Sequence, residues 1–290
     1  MEIEKILATW HYAPVASIYS VTFTPDGKNL VSGGTHKTVP VWDLVTAQEQ
    51  HLFRGHSDWV YCVAITPDGH TIVSGSLDKT IKVWNLEARK EILTLVGHLD
   101  TVCSVAITPD GQKIVSGSKD TTIKVWDLKT GKEIDTLTDN SDWVYSVAIT
   151  PDGQTIVSGC ADGTIQVGKL TKLRGHSASV TSVAISPDGK TIVSGSIDES
   201  IKVWDLTTLK EVRRLKGHLG GVTCVAITPN GTTIVSGGND KLLKAWDLKT
   251  GKQIRTFTGH LEAVLAVAIS PNGHLIASGC RIDAIRLFKL

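Results

Sequence analysis

Residues 55–86 read GHSDWVYCVAITPDGHTIVSGSLDKTIKVWNL, and the same course returns at 97–128, 175–206 and 217–248. Inside this stretch the β-branched runs VAIT, TIVSGS and TIKVWNL are separated by turn formers, Pro67-Asp68-Gly69 and then Leu77-Asp78-Lys79. Proline, aspartate and glycine stop a strand there because they favour the dihedrals of tight turns and bond their own backbone. A further run, EILTL at 91–95, precedes the next Gly-His, and no stretch carries a helical period. Each repeat therefore encodes four short strands.

Working outward, the Pro-Asp-Gly or Pro-Asn-Gly turn ends at Gly27, Gly69, Gly111, Gly153, Gly189, Gly231 and Gly273, at intervals of 42, 42, 42, 36, 42 and 42 residues. Self-similarity at such a period means stacked supersecondary units. One four-stranded sheet cannot bury both of its faces, whereas a closed ring of sheets lets each cover its neighbours. The expectation is an all-β, seven-bladed β-propeller with four antiparallel strands per blade, formed by residues 1–290 as a single domain. The last repeat stops at Leu290 without its fourth run, and the opening EIEKILATW resembles that missing strand. Residues 1–10 are thus expected as the outer strand of blade 7, closing the ring and covering an edge that would invite aggregation. Met1 and this matched closure point to a self-sufficient unit.

Composition narrows the function classes. Thirty basic against twenty-nine acidic residues give a net charge of +1, which offers no pointer to nucleic acid or an anionic membrane, since both need a concentrated basic patch; neither is expected as a partner. No apolar run nears the roughly 20 residues that span a bilayer, and MEIEKILATW lacks the apolar core of a signal peptide. The five cysteines are odd in number, lie in apolar strand-like runs and show no CxxC spacing, which predicts reduced, buried thiols in a cytoplasmic protein. No glycine loop able to cradle phosphate and no HExxH occurs, so neither cofactor nor metal is expected. Asn230-Gly231-Thr232 matches a glycosylation sequon but reads as a plain turn.

VWDL or VWNL occurs at Trp42, Trp84, Trp126 and Trp204, AWDL occurs at Trp246, and Gly-His pairs open most repeats. On these motifs the chain resembles the WD-repeat β-propeller family over essentially its whole length, and its near-identical repeats resemble recently amplified prokaryotic arrays. Four repeats carry histidine, serine, aspartate and tryptophan at fixed offsets: His56, Ser74, Asp78, Trp84; His98, Ser116, Asp120, Trp126; His176, Ser194, Asp198, Trp204; and His218, Ser236, Asp240, Trp246. Ser, His and Asp suggest nucleophilic catalysis, but an active site is needed once and not four times. The resemblance implies instead a buried network in which Asp orients His, His meets Ser and Ser reaches the indole N–H, so that each buried polar group is satisfied.

Three repeats depart from the pattern. The first has Ala13-Pro14 for Gly-His and His36 for the Asp; the seventh has Ile282 at the Asp position, Asp283 one step later and Phe288 for the Trp; the fourth has Asp139-Asn140 for Gly-His. These are the expected softer blades. The fourth is also six residues short, IQVGKLTKLRGH standing where a longer segment is expected. Either Gly168 replaces the Trp and the outer strand is truncated, or Gly168-Lys169 is the usual turn and the Trp-Asp-Leu segment is absent. Were the outer strand missing, the third strand would be an edge open to pairing with an added strand.

In the WD-repeat family the start of each first strand, with the residue before the network Asp, faces the top surface. The aligned positions two before the central Val-Ala are Tyr19, Tyr61, Cys103, Tyr145, Thr181, Thr223 and Leu265, and two residues earlier stand Ser17, Trp59, Thr101, Trp143, Ser179, Gly221 and Ala263. The residues before the Asp add Leu77, Lys119, Ala161, Ile197 and Asn239. Aromatics thus gather in repeats one, two and four. The scaffold does not require rings that most repeats lack, and exposed Trp and Tyr anchor interfaces. Alternatively each ring covers its own blade, or repeats two and four are copies of one another. The candidate partner surface is Tyr19, Trp59, Tyr61, Leu77, Trp143, Tyr145, Ile197 and Leu265. The functional expectation is a non-catalytic scaffold, a monomer binding a protein or peptide on its top face, with a sensor domain of a larger kinase or NTPase as the alternative.

Overall fold

The computed structural model describes residues 3–6, 16–282 and 285–290 of the chain. They form seven four-stranded antiparallel sheets and, among the described residues, no helix. Blade 2 shows the pattern: Val60–Ile65 innermost, then Thr71–Ser76, Thr80–Asn85 and, outermost, Lys90–Val96. Innermost strands follow one another around the ring, and that of blade 7, Val264–Ile269, packs beside that of blade 1, Ile18–Phe23. Ile3–Ile6 pairs antiparallel with Ile285–Lys289 as the fourth strand of blade 7. Residues 1, 2 and 7–10 of the expected closing segment lie outside the described residues, as do Ala13, Pro14 and Asp283.

The core is divided among the seams. The third-strand Trp of blades 1, 2, 3, 5 and 6 inserts into the apolar layer of the preceding blade: Trp84 against Val31, Val39, Val41 and Phe53, Trp126 against Val73, Ile81 and Leu95. Phe288 plays this part against blade 6, and Trp42 closes the ring against Ala277 and Leu287. Seams this tight need glycine in the TIVSGS strand. A Cβ at Gly75 would stand 2.6 Å from Val102 Cγ1 and 2.7 Å from Cys62 Sγ. Serines of the innermost strands stitch neighbours together, Ser20, Ser104, Ser146 and Ser182 each accepting a hydrogen bond at 3.1 Å from an amide of the next blade (Val63, Val147, Val183 and Val225).

Blade 4 decides between the two placements of its gap by combining them. Thr164–Val167 turns through Gly168-Lys169-Leu170 into Thr171–Arg174, with Val167 opposite Thr171. In blade 3 the equivalent pair is Val125 opposite Asp135, so the shortening removes the Trp, the turn after it and the start of the outer strand together. Gly168 takes a φ of 58°, which permits the tight reversal. The outer strand is present and paired, so the condition for edge pairing at blade 4, a missing outer strand, is not met and the third strand is not a free edge. What is lost is the seam's aromatic plug: Val125 and Ile156 are left partly exposed, where their equivalents Val83 and Ile114 are buried.

Candidate functional site at the channel mouth

The four histidine sets are assembled alike. His98 Nδ1 lies 2.8 Å from Asp120 and its Nε2 2.8 Å from Ser116 Oγ, which accepts the Trp126 indole N–H at 2.8 Å. The sets at His56, His176 and His218 repeat this within 0.1 Å. The serines are fully buried and shared between imidazole and indole, so no substrate could reach them as nucleophiles. Burial opposes ionisation of Asp120, but bonds from Thr122, the Leu99 N–H and His98 prevail and hold its carboxyl at about 2. Asp78 and Asp198 are lowered in the same way against the same desolvation. Burial lowers His98, His176 and His218 despite the carboxylate beside each.

The divergent blades keep fragments of this network. In blade 7 His260 Nε2 meets Ser278 Oγ at 2.7 Å, while Nδ1 has no partner among the described residues. Burial and the charge of Arg286 press its pKa down to about 4. In blade 4 Asn140 accepts from Ser158 at 3.4 Å and from Cys160 Sγ at 3.6 Å, and the Oε1 of buried Gln166 has no partner among the described residues. In blade 1 Trp42 still donates to Ser32 at 3.0 Å.

The innermost strands share one irregularity. In blade 2 Val60 pairs with Ser76 and Cys62 with Gly75, leaving Tyr61 unpaired in a β-bulge. The same register shift leaves Tyr19, Cys103, Tyr145, Thr181, Thr223 and Leu265 unpaired. A bulge re-aims its extra residue, and here six of the seven, all but Tyr145, line the mouth of the central channel, a cavity of about 170 Å³. Thr181 and Thr223 spend their hydroxyls on carbonyls of their own blade and of the next, Thr181 reaching Val222 O at 2.6 Å.

Blades 1, 2 and 4 place rings there instead. Tyr19 and Tyr61 stack with centroids 4.7 Å apart, Trp59 lies 6.1 Å from Tyr19, and Trp143 meets Tyr145 edge-on at 6.2 Å. Lys119 joins the groups, its ammonium 5.0 Å from the Trp143 ring and 5.9 Å from Tyr61. Burial raises the phenols of Tyr19 and Tyr145 and pushes Tyr61 up to about 12. Trp59 and Trp143 are exposed at 38% and 43%, whereas Ser17, Thr101 and Ala263 at the same position are buried. Leu77 is half-buried beside Trp59, its N–H bonded to the Trp59 carbonyl, and exposed Ile197 is bonded likewise to Ser179, away from the rings. The aromatics and Lys119 therefore form one arc over blades 1 to 4, to which Ile197 does not belong. Leu99, Leu219 and Leu261, all strongly exposed just after their Gly-His, escaped the sequence reading. Comparing that position across repeats, where Ser57 and Ser177 stand elsewhere, would have found them.

Among the described residues no cluster of His, Cys, Asp and Glu could hold a metal ion, and no helix is long and apolar enough to cross a membrane. Residues 17–167, just over half of the chain, match the family described as the IFT122 first beta-propeller, and residues 168–205, 209–247 and 251–283 match the WD domain, G-beta repeat. The chain belongs to the WD-repeat β-propeller family. It is also similar to a protein named probable serine/threonine-protein kinase PkwA, from Thermomonospora curvata, at 42% identity over 41 residues; the match covers 14% of this chain and 6% of that protein.

Proposed function

We propose that the protein is a non-catalytic recognition module whose top face, at the arc Trp59–Tyr19–Tyr61–Trp143–Tyr145 beside the channel mouth, binds a protein or peptide partner. The observation that carries this reading is that blades 1, 2 and 4 hold partly exposed tyrosines at the bulge, where the other blades have Cys103, Thr181, Thr223 and Leu265, and that exposed Trp59 and Trp143 stand two residues before two of them. Rigid aromatics bury much area at low entropic cost, and a bulge fixed between two sheets pre-organises them. WD-repeat propellers are interaction platforms as a class, which favours the same reading. Leu77, Ile197 and Leu265 extend the surface around the mouth. The protein acts as a monomer in the cytoplasm, where the thiols Cys62, Cys103, Cys160 and Cys224 stay reduced. Affinity purification with the wild type beside Trp59→Ala/Trp143→Ala tests the proposal. Partners captured by the wild type should be lost from the variant at unchanged thermal unfolding, and undiminished capture overturns the reading.

A second reading, a sensor domain of a larger signalling protein, is favoured by the short stretch similar to PkwA. Immunoblotting of the native protein with an antibody against the propeller separates the two. A band near the 31.1 kDa of this chain speaks against the sensor reading, and a much larger one for it.

A further inference from the structure

The aromatic arc has a gap at blade 3, where the bulge residue is Cys103 rather than a ring, and Lys119 fills it. Lys119 is fixed by its backbone, which donates to the Thr101 carbonyl at 3.0 Å. Its ammonium lies over two rings that belong to the blades on either side, Trp143 and Tyr61. It forms no ion pair among the described residues, so the ring faces are what hold it. Negative charge gathers on the same blades. Asp58, Asp100 and Asp142 stand at equivalent places just before Trp59, Thr101 and Trp143, each accepting the following backbone N–H at 2.9, 2.6 and 2.8 Å. None of the three is in an ion pair among the described residues, whereas blades 5 and 6 have Ala178 and Gly220 there and blade 7 has Glu262, which is paired with Lys241 at 3.3 Å. Of the other nearby cations, Lys37 is held by the Ser57 carbonyl at 2.8 Å, Lys79 is exposed at the rim, and exposed Arg281 acts on Tyr19 at the far end of the arc.

We propose that this seat takes a basic side chain of the partner, an arginine ahead of a lysine, which displaces Lys119 from between Trp143 and Tyr61. The inference rests on the reading of the arc as the partner surface and adds the chemistry of the occupant. Two ring faces and three carboxylates without a counter-ion are complementary to a cation. A planar guanidinium stacks on both rings and reaches a carboxylate at once, which the ammonium of Lys119, tethered to its own blade, does not. Lys119 is then a stand-in that keeps the seat filled and lowers apparent affinity until a partner arrives.

Arrays of short Gly/Ser-flanked peptides with a central Arg, Lys, Leu or Glu test this, probed with the wild type, Lys119→Ala and Trp143→Ala, each confirmed folded by circular dichroism. Arg-centred peptides should be retained about threefold or more above Leu-centred ones. Lys119→Ala should strengthen that retention, and Trp143→Ala should abolish the preference. Equal retention of Arg and Leu peptides, or none of either by Lys119→Ala, overturns the proposal. So does preference for Glu-centred peptides that vanishes in Lys119→Ala, since Lys119 would then be the anchor. If the double tryptophan variant loses its partners while no Arg preference exists, only the cation inference falls; undiminished capture by that variant removes both.

Discussion

Tyr61 stacks on Tyr19 with ring planes 3° apart, although 42 residues separate them, because both are the bulge residue of neighbouring innermost strands. Thr181 and Thr223 occupy the same bulge in blades 5 and 6 and tie it to the next blade. Tyr61→Thr should therefore leave unfolding free energy within about 1 kcal/mol of wild type while weakening partner capture about tenfold. Denaturant titration beside a capture assay reads both, and a large loss of stability would make Tyr61 a scaffold residue.

Trp126 combines a network with a seam, and its removal should be felt in both. Trp126→Ala leaves a cavity against Val73, Ile81 and Leu95 and removes the indole donor from Ser116. The expected cost is about 3–5 kcal/mol. Unchanged thermal unfolding would contradict this assignment.

Blade 4 lacks that plug, and Val125 and Ile156 at its seam are partly exposed. Backbone amides of the hairpin 164–174 should exchange about tenfold or more faster than those of the equivalent hairpin 123–137. Native-state hydrogen exchange by mass spectrometry resolves the two; equal protection would show that the short turn compensates for the missing ring.

Gly75 is held at its place by Val102 of the next blade rather than by its own dihedrals. Gly75→Ala should destabilise by about 1–3 kcal/mol through overpacking. Val102→Ala in the same chain should return part of that loss, giving a favourable coupling in a double-mutant cycle.

The histidines make the fold acid-sensitive before the carboxylates do. His98, His176, His218 and His260 all titrate below their ordinary value, because burial disfavours the charged ring. The unfolded chain therefore takes up protons first, so stability is full above about pH 6.5 and falls as pH drops below it. His260, at about 4, should account for about 3 kcal/mol of the loss by about pH 4. A second fall follows below about pH 4, as Asp78, Asp120 and Asp198, held low in the fold, protonate in the unfolded chain. Thermal melts of His260→Gln across this range should show a shallower first fall and an unchanged second one.

Much of this was legible in the repeats. The 42-residue period, the turn tripeptides and the alternation of β-branched residues are local signals, and they specify seven sheets and their order. The hydrogen bonds of the histidine sets were implied by family resemblance together with fixed offsets, because identical spacing on identical strands brings identical atoms together. Blade 4 was not legible. Its deletion removes the residues that distinguish the two alignments, and only the pairing of Val167 with Thr171 decides where the chain turns.

By itself, then, the sequence determined the propeller, its closing strand and the set of rings that the scaffold does not require, since strand patterning and turn chemistry act within a few residues. Tertiary structure decided that the tyrosines among those rings sit on bulges, that Lys119 reaches across blade 3 to join Tyr61 and Trp143, and that the tryptophans of the third strands plug the preceding blade's seam rather than their own sheet. These relationships depend on how adjacent blades are rotated and staggered about the channel, and that geometry exists only once the ring has closed.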